Sequence, residues 1–148
     1  MNRYRCRHFA AHELVPKNIY DLFQNPDIIY GLFDENALRI LDLLREWAGV
    51  GLIINNWYWK GTRTQCGLRV KDADVGASLS KHKLGMAFDI ISIKLSTLEL
   101  WQILDANSNK LPCKIRIEKT SNGKPITWLH FDTDASSSQT TNIYYFNA

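Results

Sequence analysis

Lys114-Ile-Arg-Ile-Glu-Lys-Thr-Ser-Asn-Gly-Lys-Pro-Ile-Thr-Trp-Leu-His-Phe-Asp132 is two alternating runs, Lys114 to Thr120 and Ile126 to Asp132, on either side of Ser-Asn-Gly. That pattern predicts a β-hairpin, because an Asn-Gly pair accepts the positive φ of a tight turn and alternation gives each strand one apolar face. Upstream, Ser96-Thr-Leu-Glu99 is a capping box opening a helix to about Ala106. A stronger helix begins after Asp34, where Ala37, Ile40, Leu41, Leu44, Trp47 and Ala48 share one face, and Gly49 and Gly51 close it. Gly51 to Asn56 and Met86 to Ser92 read as short strands. Residues 1–33, punctuated by Pro16 and Pro26, read as irregular, and residues 57–81 as a long polar loop with Gly61, Gly67, Gly76 and a Lys71-Asp-Ala-Asp74 cluster. The Ser/Thr/Gln-rich stretch from Ala135 to Thr141 reads as a loop before Ile143-Tyr-Tyr-Phe146. No repeat or linker interrupts the chain, so residues 1–148 are expected to form one α+β domain.

Composition narrows the function. Apolar residues make up 45% of 148 and charged residues 22%, which excludes a disordered or collagen-like chain. Net charge is +3, with 10 basic and 9 acidic residues up to residue 74 and 8 and 6 beyond it. No basic arm marks a nucleic-acid binder, and the tryptophans read as core and groove walls. Cys6, Cys66 and Cys113 contain no CxxC pair; they leave room for one disulfide, but the simpler reading is free thiols in a reducing compartment. The basic start, Met1 to His8, has no apolar stretch behind it, and Ala48 to Ile54 is too short to span a bilayer. No membrane partner, signal peptide or transmembrane segment is therefore expected.

Chemistry concentrates in Ser80-Lys-His-Lys-Leu-Gly-Met-Ala-Phe-Asp89 and Trp128-Leu-His130. Gly85 lets the chain turn from a loop into a strand in which Ala87 and Asp89 share a face, opposite Met86, Phe88 and Ile90. His130, on the second hairpin strand, supplies a third ligand. Two imidazoles and a carboxylate suit zinc with one position open to water. Trp128, two residues before His130, is expected to wall the cleft. His8 and His12 have helical i,i+4 spacing but no third ligand, Cys66 has no nucleophile signature, and Lys81 and Lys83 read as solvated loop charges.

The string SxHxxGxAxD followed by WxH resembles the signature of the zinc D-alanyl-D-alanine peptidase family, which includes D,D-carboxypeptidases and L-alanyl-D-glutamate endolysins. Ser80, His82, Gly85, Ala87 and Asp89 match each fixed position. Gly67-Leu-Arg69 is similar to the family's Gly-Tyr-Arg element, and His8 to Glu13 resembles the opening of some members. The resemblance implies a small antiparallel sheet flanked by helices, as in the Hedgehog/D,D-peptidase fold. It implies His82, Asp89 and His130 as zinc ligands and Arg69 orienting a substrate carboxylate, with Arg63 the fallback in the same loop, and Ser80 either lining the site or bracing the loop by hydrogen bonding. The expected activity is hydrolysis of an amide in the peptide stem of bacterial peptidoglycan, of the D-Ala-D-Ala or L-Ala-D-Glu type. The alternative is an inactive zinc-binding module of the same fold. A monomer is expected, made in the cytoplasm and acting at the cell wall after release or as part of a virion, as a phage lysin would.

One position departs from the family. Several members carry a glutamate three residues before the final histidine, where this chain has Thr127. Either the chain lacks that base, or the carboxylate comes from elsewhere, and Glu118, on the preceding strand, is the candidate. A two-residue turn pairs Glu118 with Thr127, facing away from His130. A three-residue loop pairs it with Ile126 on the His130 face, so the chemistry calls for the second register.

Overall fold

The hairpin closes on two residues, not three. In the computed structural model, which describes residues 4–70 and 80–148, Asn122 (φ 52°) and Gly123 (φ 74°) both lie in the left-handed region, and Ser121 pairs with Lys124. This is the turn that Asn-Gly favours. Register is then reset by a bulge. Thr120 pairs with Pro125, but Glu118 pairs with His130, so Lys119 alone stands against residues 126–129. Pro125, which has no N–H to give a ladder, sits beside the irregularity. The expected Glu118–Ile126 pairing is thus replaced by a direct Glu118–His130 pair, which puts both side chains on one face by a different route.

Four strands form the sheet: β1 (Ala87–Ile90), β2 (Ile115–Ser121), β3 (Lys124–Asp132) and β4 (Ile143–Asn147), in the order β1-β3-β2-β4. The first three are antiparallel neighbours, whereas β4 runs parallel to β2, so the sheet is mixed and not wholly antiparallel. The reason is local. β3 ends opposite the start of β2, and the loop that follows only has to cross β2's end for Ile143 to pair with Ile115. A strand started there must run with β2.

Among the described residues, four α-helices accompany the sheet: α1 (Lys17–Phe23), α2 (Pro26–Tyr30), α3 (Glu35–Ala48) and α4 (Thr97–Ala106). The Asp34 side chain accepts from the Ala37 N–H at 3.1 Å, and Gly49 (φ 67°) ends α3, as its sequence predicts. Ser96 and Glu99 form the capping box of α4. The first 33 residues are less irregular than expected. Pro16 caps α1 and Pro26 opens α2, both serving as helix starters where a missing N–H costs nothing. The expected strand at Gly51 to Asn56 reduces to one bridge between Ile53 and Ile91. The Lys71 to Asp74 cluster and Gly76 lie outside the described residues. Among the described residues, no helix is long and apolar enough to cross a membrane.

The sheet has two unlike faces. Phe88, Ile90, Ile115, Ile117, Leu129 and Phe131 are fully buried and join Leu38, Ile40, Leu41 and Leu44 of α3 and Leu100 and Leu104 of α4 in one core. Each such side chain contributes about 1.5–3 kcal/mol by burial, and Leu41→Ala would cost about 2–5 kcal/mol. Phe33 stacks on Phe88 with ring centres 5.3 Å apart, tying the start of α3 to β1. The opposite face carries Ala87 and Asp89 of β1, His130 and Asp132 of β3, and Arg116 and Glu118 of β2.

Candidate metal centre

Register sets Asp89, His130 and Glu118 side by side in one row across β1, β3 and β2. His82 reaches the same row from a 3-10 turn, Lys81–Leu84, that follows Ser80. Gly85 ends that turn at φ 67°, and a Cβ there would lie 2.3 Å from the Leu32 carbonyl oxygen. Position 85 therefore excludes a side chain both by conformation and by space. Gly67 is constrained by space alone, because its Cβ would lie 2.1 Å from the Leu14 carbonyl oxygen. The close approach aims the Gly67 carbonyl at His82.

His82 Nδ1 donates to that Gly67 oxygen at 2.8 Å, which leaves Nε2 as an acceptor. Nε2 faces Asp89 Oδ1 at 3.2 Å and His130 Nδ1 at 3.3 Å, and His130 Nδ1 donates to Asp89 Oδ1 at 2.8 Å. One donor atom from each of the three residues lies within 4.8 Å of the others, and all three residues are buried. A lone pair of His82 and a carboxylate oxygen thus converge with one proton between the three groups. A cation resolves that crowding, and the residues present fit one.

The surroundings sharpen the site. The buried Asp132 carboxylate lies 3.4 Å from His130 Nε2 and grips Arg116 through two bonds of 2.8 and 2.9 Å. Burial opposes charge on His130, but its bonds to Asp132 and Asp89 outweigh this and raise its pKa to about 9. Burial likewise opposes the Asp89 charge, yet the two histidines hold its carboxyl well below the usual range. Glu118 Oε2 stands 4.0 Å from His130 Nδ1. Burial pushes the Glu118 carboxyl up, His130 pulls it down, and Asp89 pushes it up again, with a net rise. Phe146 extends the row beyond Glu118 and meets the His130 ring edge-on at 6.2 Å.

Known protein families, curated proteins and solved structures yield no match to this chain. The centre is therefore read from its own geometry. The structure brings His82, Asp89 and His130 together, and Glu118 stands 4.0 Å from His130 Nδ1. Arg69 joins them: its Nη2 donates to Asp89 Oδ2 at 3.0 Å and its Nε to the Gln65 carbonyl at 2.9 Å. Arg63 has a framework role instead, donating to the Ile54 and Asp89 carbonyls. The Ser80 hydroxyl makes no cap bond to the turn it precedes. Trp128, expected as a cleft wall, is half-buried within the bulged stretch. Lys81 is not simply solvated but pairs with Asp134 at 2.8 Å. His8 bonds Glu46 and His12 stacks on Tyr58, so neither joins the cluster. All three cysteines are free. Sequence reasoning missed Asp132 and Arg116, although the period-two spacing of His130 and Asp132 already put both on one face.

Proposed function

We propose that the protein is a zinc metallopeptidase that hydrolyses an amide bond in the peptide stem of bacterial peptidoglycan. The observation that carries this reading is the convergence of His82 Nε2, His130 Nδ1 and Asp89 Oδ1 with Glu118 in the adjacent strand position. Two nitrogens and one carboxylate oxygen are the donor set of catalytic zinc sites with an open position. The motif resemblance through Ser80 to Asp89 and Trp128 to His130 supplies the substrate class.

Zinc bound there supplies polarisation of the scissile carbonyl and a water whose pKa falls from 15.7 towards about 7. The protein's residues do the rest. Glu118 accepts the water's proton at a carboxylate oxygen and returns it to the departing amine; its raised pKa suits both steps. Asp132 orients His130 through Nε2, and the Gly67 carbonyl fixes the His82 tautomer. Arg69 braces Asp89, and its Nη1, without a partner among the described residues, is assigned to a substrate carboxylate. Ser80 precedes the turn that carries His82. The site of action would be the cell wall, reached by release or as part of a virion.

Mass spectrometry of purified muropeptides incubated with zinc-loaded protein tests this directly. Two fragments whose masses sum to the intact muropeptide plus one water are expected, and they also identify the bond. Tight zinc binding with intact muropeptides would instead mark an inactive metal-binding module.

A further inference from the structure

A cavity of about 450 Å³ opens on the same face of the sheet as the metal cluster, one row nearer the start of β2. Arg116 and Tyr144 line it from adjacent strands, and the loop of residues 134–141 forms its wall. The lining is hydroxyl-rich, with Ser136, Ser138, Thr140 and Thr141 beside the Gln139 amide. Its charges are already compensated: Asp132 holds Arg116, and Lys81 holds Asp134. The wall is also built in advance. The buried Gln139 side chain donates to the Ile115 carbonyl at 3.0 Å and the Thr141 carbonyl at 2.9 Å, and Ser136 bonds Ser138 at 2.8 Å. Tyr144 leaves half its surface exposed beside these hydroxyls.

Neutrality disfavours an anion, and the polar lining disfavours an aliphatic side chain. Many small hydrogen-bonding groups beside one exposed aromatic face suit a pyranose, which has a hydroxylated rim and an apolar flat side. We infer that this cavity binds a neutral sugar ring of the glycan strand that carries the stem peptide, an inference that rests on the peptidoglycan reading above. Two strand spacings and one row separate the cavity from the cluster, about 12 Å, or some three residue lengths of extended chain. A sugar seated there places the first bonds of the stem, those nearest the glycan, at Asp89 and His130, and leaves the distant D-Ala end out of reach.

The test begins with binding, which needs no hydrolysis. The neutral N-acetylglucosamine disaccharide is titrated into isotope-labelled protein, with acetate as the anionic control. Amide shifts confined to residues 136–144 are expected with the sugar and not with acetate. Tyr144→Ala should weaken sugar binding by about tenfold, while Tyr144→Phe, which keeps the ring, should retain most of it. In turnover assays, kcat/KM for a stem peptide carrying its sugar should exceed that for the sugar-free peptide by about tenfold, and Tyr144→Ala should bring the ratio near one. Absent shifts, shifts with acetate alone, or a wild-type ratio near one would overturn the sugar site while leaving the peptidase reading intact. Sugar-specific shifts without cleavage of any stem would support the cavity assignment and overturn the peptidase.

Discussion

His82 uses both ring nitrogens: one is tied to the Gly67 carbonyl and the other is held bare towards Asp89 and His130. Removing any of the three removes one of the convergent donors. His82→Ala, Asp89→Ala and His130→Ala are each expected to lower zinc from about one ion per chain to a small fraction, read by elemental analysis after dialysis. Full occupancy in His130→Ala would mean the three-residue centre is wrong. Glu118 differs in kind, because it stands beside the donors and is not one of the three convergent residues. Glu118→Gln keeps its shape and removes the proton acceptor, so zinc content should be unchanged and muropeptide turnover should drop by about 10²-fold or more. Near-normal turnover in that variant would transfer the base role elsewhere.

At the scale of elements, two left-handed glycines make unequal predictions. Gly123 sits in the open, where an added Cβ would meet nothing within 4 Å, so Gly123→Ala should cost only about 1–2 kcal/mol, the penalty of the conformation. Gly85 has a similar φ but meets the Leu32 and Phe33 backbone, so Gly85→Ala should cost clearly more than Gly123→Ala in urea denaturation and should also lower zinc occupancy. Equal costs would show that the 3-10 turn can move without harm. The same elements show what could be read in advance. α3 and α4 were legible because each carries its cap and its apolar positions within its own residues. His82, Asp89 and His130 were legible because each lies in a short motif. β4's direction, the bulge opposite Lys119 and the pairing of Asp132 with Arg116 depend on strands far apart in sequence, and no local pattern encodes them. α1 and α2 were hidden by their brevity and by prolines that start helices as readily as they end them.

Over the whole molecule, the cluster ties stability to pH, and metal binding there is expected to change that dependence. His130 rises from an ordinary 6.5 to about 9 in the fold, so its charged form stabilises the metal-free protein fully below about 6.5. That contribution is lost as pH rises through about 9. Asp89, held low, works in reverse: its contribution is present above its ordinary 3.8 and is lost as pH falls below that. Chelator-treated protein should therefore show a falling Tm between about pH 7 and 9.5, and zinc, taking the place of the proton, should flatten that decline. Parallel melting curves with and without zinc would argue against the cluster as the metal's site. Arg63 carries a different consequence. β1 is a border strand, and its outward backbone groups at Asp89 are met by the Cys66 carbonyl at 2.7 Å and the Arg63 guanidinium at 3.0 Å. The Arg63 side chain and the loop main chain thus stand where a fifth strand would otherwise add. Without Arg63, the border offers a bare carbonyl to any extended chain that passes, including another copy's β1. Arg63→Leu is expected to form dimers and larger species in light scattering at unchanged secondary structure, and a monodisperse variant would show that the loop main chain guards the border unaided.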